Sequence, residues 1–265
     1  MLTSRRSPRV IRARALHSRK ARQDEQAFLV EGPTLVSEAM DAGLVIEEIF
    51  HVPNLSSRWQ GIVTRARERS VDIVTVSESV LEAIAAARTP QGLIAVASRV
   101  PAPAVDAVIR ADADMLVALD RIADPGNLGT IIRTAEAAGS RAVILLGPSV
   151  DPWGPKVVRA SAGSVFRVPV VEISAADLLV AADSAGLRIL AADVSDGRPP
   201  WDVLRERRTG LLWVFGSESH GLSADLLDGA DTRVTIPMAG AVESVNLAAS
   251  VAVCLFSQAR ERMTD

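Results

Sequence analysis

The chain has 265 residues, 48% hydrophobic and 3% aromatic with no tyrosine, enough apolar material for one or two packed domains but too few rings to stack single-stranded bases on aromatic platforms. A single cysteine, Cys254, excludes a disulfide framework and any multi-cysteine metal site, and its apolar surroundings mark a small buried residue. The net charge of -3 hides a segregation: eight of the 29 basic residues fall within positions 1–22, which hold no acid, so a basic arm suited to a polyanion precedes an acidic body.

No secretory apolar core follows Met1, and the run 247–256 is too short to span a bilayer, so the expectation is a soluble cytoplasmic protein without a membrane segment. In chain order, 27–31 reads as a strand. Gly32 and Pro33 open a helix that Gly43 closes, Pro in the first turn and Gly past the end being favoured placements. A strand at 45–52, a helix at 58–69, a strand at 71–76, a helix after Ser77 and a strand at 92–97 complete an α/β unit over 23–100. Prolines at 101 and 103 place a linker over 101–114. Beyond it strands at 115–119, 142–146, 166–171, 188–192 and 211–215 alternate with helices at 128–138, 155–161 and 175–185. Ser223 precedes a further short helix, and 234–236 reads as a last strand before a final helix. Such alternation predicts an α/β domain over 115–265, with a mostly parallel sheet covered by helices on both faces.

Three loops carry the polar residues. In residues 120–139, Asn127 reads as a helix cap and Gly139 as a terminator. At about 100° per residue Leu128, Ile131, Ile132, Ala135 and Ala138 share one face and Arg133 points away from the sheet. In residues 211–222 an apolar strand stops at Gly216 and a polar loop, Ser217-Glu218-Ser219-His220, runs to Gly221. No Lys follows these glycines as a phosphate loop needs, and the Gly-x-Ser-x-Gly of a hydrolase elbow is missing. In residues 232–257 a strand meets Pro237, then a loop with Gly240, Glu243, Ser244 and Asn246, then a helix apolar almost all round. Ligands of open α/β sheets bind at such strand ends. Ser244 and Asn246 also read as plain caps, and the helix as core or subunit interface.

Taken together, N-x-G-x-x-x-R-T-A-E from Asn127, G-S-E-x-x-G-L from Gly216 and I-P-M-x-G-x-V-E-S-V-N from Ile236 resemble, in order and spacing, the three motifs of the SpoU (TrmH-like) family of 2'-O-ribose RNA methyltransferases, of the SPOUT class. Residues 28–40 and 88–96 resemble the substrate-binding domain often fused to it, which shares the RNA-binding fold of certain ribosomal proteins. Departures are mild: Val245 stands where leucine is usual, Leu247 where valine is usual, and Ala241 where a basic residue is frequent.

The resemblance implies a trefoil knot that holds S-adenosylmethionine against Leu119, Gly216, Ser217, Ile236, Pro237, Met238, Val245 and Leu247. It places Asn127, Arg133, Glu218, Ser244 and Asn246 around the reacting centre, with no metal. It also implies a homodimer through the C-terminal domain, the neighbouring subunit contributing Arg133, and an RNA partner, foremost 23S ribosomal RNA. Transfer RNA and the target of a thiostrepton-resistance-type enzyme are alternative substrates. From another class, a silent RNA-binding or ribosome-assembly protein is the competing reading; a nicotinamide enzyme lacks its G-x-G-x-x-G. A guanidinium is a poor base. Arg133 therefore reads equally well as a phosphate clamp that lowers the hydroxyl's pKa, with Glu218 or water taking the proton.

Overall fold

A computed structural model describes residues 1–192, 197–206, 210–217 and 219–263. Its elements are α1 (Pro8–Ala15), α2 (Arg19–Glu25), β1 (Ala27–Glu31), α3 (Pro33–Asp41), β2 (Ile46–His51), α4 (Ser57–Glu68), β3 (Asp72–Thr75), α5 (Glu78–Ile84) and β4 (Leu93–Ser98). There follow α6 (Val105–Val108), β5 (Met115–Asp120), α7 (Pro125–Ala138), β6 (Val143–Leu146), α8 (Pro155–Ala160), β7 (Val170–Ile173) and α9 (Ala175–Ser184). The chain ends with β8 (Arg188–Ala192), α10 (Pro200–Leu204), β9 (Leu211–Gly216), α11 (Ala224–Asp228), β10 (Thr232–Val234) and α12 (Leu247–Met263). Two compact units result: Met1–Pro101 with Asp151–Phe166, and Ala102–Val150 with Arg167–Asp265.

Unit 1 is built on a four-stranded sheet in the order β1-β4-β2-β3, β4 running antiparallel to both its neighbours. The segment 1–22, expected as an arm, is folded into this unit. Val10, Ala13 and Leu16 recur at helical spacing and join a core with Leu29, Phe50 and Leu81. Pro8 starts α1, and Arg12 and Arg14 lie in its last turn, where cations complement the helix dipole. The arginines face carboxylates of the same unit: Arg9 reaches Glu48 and Asp72, each at 2.6 Å, and Arg12 reaches Glu25 and Glu47. Arg22 is buried, pairs with Asp151 at 2.6 Å and donates to the carbonyls of Leu16 and His17. Residues 151–166 also bring Trp153 against Phe28, ring centroids 4.7 Å apart.

Unit 2 holds a six-stranded, wholly parallel sheet in the order β10-β8-β9-β5-β6-β7. Much of the expected linker belongs to it: Val108, Ile109 and Ala113 lie in its core cluster. Two strands are shifted from their expected positions. Phe166 ends a 3-10 turn, the carbonyl of Pro169 accepts from Val143 N, and β7 begins only at Val170. The last strand ends at Val234, opposite Ala192 of β8, and on its other side it has a different neighbour. That neighbour is the connection leaving β8: Thr235 N donates to Arg198 O, Arg198 N to Arg233 O, and Gly197 N to Thr235 Oγ1. Hence β10 lies between β8 and residues 197–198 of the β8–β9 connection, an arrangement that accords with the expected trefoil knot. The unforeseen α10 lies on that connection and packs against α12.

The final helix is anchored from inside. Gln258 accepts from the indole of Trp213 at 2.7 Å and donates to Asp114 O at 2.8 Å. Cys254 is fully buried, and burial pushes its thiol up to about 12, an inert core residue. Val253 and Phe256 remain exposed on the outer face. Among the described residues no helix is long and apolar enough to cross a membrane.

Candidate active site

A cavity of about 340 Å³ opens at the carboxyl ends of β8, β9 and β10, lined by Ala192, Phe215 and Val234 at the strand ends. Its other walls come from the loops 217–222 and 235–245 and the start of α12. This is where a parallel sheet offers a ligand crevice.

Gly216 shapes the floor. A Cβ there would overlap the carbonyl carbon of Gly221 and the nitrogen of Leu222, because the following loop folds back over the strand end. Gly221 N donates to Ser217 O at 2.9 Å, and Gly221 itself has a φ of +62°. Only glycine at 216 leaves room, so main chain rather than a side chain faces the cavity. Ser217 lines it too, with a buried hydroxyl that has no hydrogen-bond partner among the described residues. Such an atom is costly unless a ligand satisfies it.

The 217–223 loop is tied to the end of β5 by residues that sequence reasoning passed over. Asp120, 4% exposed, accepts from Ser223 N at 2.9 Å and from the fork of Arg121 at 3.0 and 3.2 Å. Arg121, at a φ of +54°, reaches on to Gly221 O at 3.5 Å. An Asp-Arg pair ending an apolar run was the available signal. Phe215, Ser219 and Thr235 were likewise missed; Ser219 Oγ lies 2.7 Å from His220 Nδ1.

Of the residues expected at the cofactor, Gly216, Ser217, Ile236, Met238, Val245 and Leu247 line the cavity. Leu119 is fully buried in β5, opposite Phe215 in the ladder, and Pro237 is exposed on the loop; neither lines it. Among the expected catalytic residues Ser244 is on the cavity wall, and Glu218 lies outside the described residues. Asn246 and Asn127 meet: Asn246 Nδ2 donates to Asn127 Oδ1 at 3.1 Å, while Asn246 Oδ1 accepts from Ala248 N and Ala249 N and so caps α12. Asn127 is not the cap of α7. Pro125 starts that helix earlier, and Asp124 is the cap, accepting from Asn127 N at 2.8 Å. Arg133 is exposed on the outer face of α7, apart from the cavity of its own chain.

The one charged side chain among the described lining residues is Glu243. Hydroxyls, main chain and apolar walls suit a nucleoside recognised through backbone groups. Among the described residues no three His, Cys, Asp or Glu gather where they could hold a metal ion.

A knotted parallel sheet with a glycine-floored crevice at its strand ends is the architecture of a SPOUT methyltransferase. Residues 114–256 match the SpoU rRNA Methylase family and residues 7–95 the MRM3-like substrate binding domain, so the chain belongs to the SpoU rRNA methylase family. It is 34% identical to an uncharacterized tRNA/rRNA methyltransferase of Synechocystis, over 98% of this chain and 94% of that one. It is 30% identical to the 23S rRNA (guanosine(2553)-2'-O)-methyltransferase RlmP of Bacillus subtilis, over 91% and 92%. The crystal structure of an AdoMet-bound rRNA methyltransferase from Sinorhizobium meliloti superposes with a TM-score of 0.87 at 32% identity, covering 98% of this chain and 97% of that one. The cavity fits S-adenosylmethionine: main chain at Gly216 and the Ser217 hydroxyl, without a partner among the described residues, would meet its nucleoside, and the Glu243 carboxylate would offer a counter-charge to its cation.

Proposed function

We propose that this protein transfers the methyl group of S-adenosylmethionine to a ribose 2'-hydroxyl of 23S ribosomal RNA, in the cytoplasm, as a homodimer joined through unit 2 and without a metal. The observation that carries the reading is the Asn246–Asn127 hydrogen bond, which joins the first and third motifs across 119 residues. Bound S-adenosylmethionine supplies an electrophilic methyl on a sulfonium.

The chain's own groups position and exclude. Gly216 and Ser217 hold the nucleoside end, and Phe215, Val234 and Leu247 keep water from it. Asn127 and Asn246 brace each other beside the wall that carries Ser244 and orient the ribose. Arg133 clamps an RNA phosphate and lowers the hydroxyl's pKa, its guanidinium remaining protonated, while Glu218 or water takes the proton. Its outward placement on α7 supports delivery into the cavity of a second subunit, and the exposed Val253 and Phe256 on α12, which packs on α7, support a dimer face there.

The test is incubation with labelled S-adenosylmethionine and 23S ribosomal RNA, followed by mapping of alkali-resistant ribose positions. Arg133→Ala is expected to abolish transfer while cofactor binding persists. Near-normal turnover would overturn the role, and absence of transfer by the wild-type protein would favour a silent RNA-binding protein.

A further inference from the structure

A second cavity, about 280 Å³, lies within unit 1 at the end of the sheet where β1 and β2 finish and β4 begins. Leu35, Leu93 and Ile94 give it an apolar floor, and Thr34, Thr89 and Gln91 supply donors and acceptors. Glu31 is locked in place by two backbone amides, Ala86 N at 2.7 Å and Ala87 N at 2.9 Å. Arg159 reaches Glu31 Oε2 only at 3.4 Å, which engages one of the five donors of a guanidinium whose side chain is 35% exposed. Gly32, at a φ of +96°, keeps the wall open: a Cβ there would sit 3.3 Å from Gln91 Oε1.

An apolar floor with a few placed polar groups accepts a flat heterocycle with a hydrogen-bonding edge. The fixed carboxylate of Glu31 disfavours a phosphate in the same space. RNA presents such a heterocycle where a base is unstacked and splayed out. At the same end of the sheet, the loop after β2 brings Leu55 against Gly92, and α4 then places the Arg58 guanidinium 4.1 Å from the centroid of Trp59. That pair offers a cation and a ring to a neighbouring nucleotide.

We propose that this cavity receives a single unstacked base of the RNA substrate, so that unit 1 reads the RNA by shape and base edge as well as by charge. The proposal rests on the RNA reading given above and goes beyond it in naming the subsite. Thr34 is exposed in the first turn of α3 and outside the methyl-transfer machinery, so Thr34→Trp fills the mouth without altering charge. In the full-length protein this variant is expected to raise the Kd and KM for the ribosomal RNA transcript about tenfold, the scale of losing one held base. The kcat at saturating RNA, the Kd for S-adenosylmethionine and the salt slope of RNA binding are expected to stay unchanged. Arg159→Gln is expected to weaken RNA binding in the same direction. A photo-crosslinker at position 34 is expected to join one unpaired nucleotide. Unchanged RNA affinity in Thr34→Trp, or crosslinks spread along duplex, would sink the proposal. RNA binding measured without cofactor separates this result from the absence of methyl transfer by the wild-type protein, which would instead sink the catalytic reading.

Discussion

Ion pairs tie unit 1 together at Arg9, Arg12 and Arg22, whereas the described walls of the unit 2 cavity are main chain, hydroxyls and apolar side chains with Glu243 as their one charge. The difference separates two uses of polarity. In unit 1, arginines grouped at one end of the sequence hold the unit's own carboxylates, and their value follows burial. Arg9 is half exposed, where a pair contributes little, while Arg22 and Asp151 are nearly sealed from water. In unit 2 the described walls of the cavity carry Glu243 as their one charge, set among main chain, hydroxyls and apolar side chains. Clustered basic residues are therefore a poor guide to an RNA footprint until their internal partners are known.

The contrast can be broken most directly at Arg22. Arg22→Ala leaves the Asp151 carboxylate buried without its cation and is expected to cost about 3–5 kcal/mol, read as a lower denaturant midpoint. An unchanged midpoint would mean that charge does not hold unit 1. Gly216→Val tests the other side: a side chain overlapping the 221–222 backbone is expected to cost about 3 kcal/mol, seen as a roughly hundredfold loss of S-adenosylmethionine affinity with RNA binding retained. Asp120→Asn sharpens the comparison, because this buried charge positions the cavity loop without lining the cavity. Loss of its charge-assisted bonds, about 2 kcal/mol, is expected to raise the KM for S-adenosylmethionine more than it lowers kcat. The smallest effect is expected from Asn246→Ala. The lost cap of α12 should lower stability by about 1 kcal/mol, measured by thermal melting, while turnover falls further because Asn127 loses its brace.

Periodicity disclosed the long amphipathic elements. The five apolar residues predicted on one face of α7 are all buried and Arg133 is exposed, since a single stripe packs on a sheet. It failed where charge disguised the stripe, as in α1 and its cap, where Val10, Ala13 and Leu16 sit among arginines. The start of α7 was misread because Asp124 and Asn127 are both capping residue types, and Pro125 in the first turn decides between them. The ends of β7 and β10 depended on partner strands, which local sequence does not contain. At the site, the motifs pointed to six of the residues that line the cavity and also to Leu119 and Pro237, which do not, while the closeness of Gly216 to Gly221 and the support from Asp120 and Arg121 are facts of tertiary folding.

The placement of β10 between β8 and residues 197–198 carries a consequence for biogenesis. The cavity needs Ala192, Phe215, Val234 and Leu247 together, and the last two come only with and after the strand that pairs on both its sides. While the polypeptide is still being synthesised, unit 1 and the strands up to β9 can mature, but the methyl-donor crevice cannot. If unit 1 binds RNA as proposed, a nascent chain would grip RNA before it could modify it, and a product truncated before α12 would compete with the finished enzyme for the same transcript.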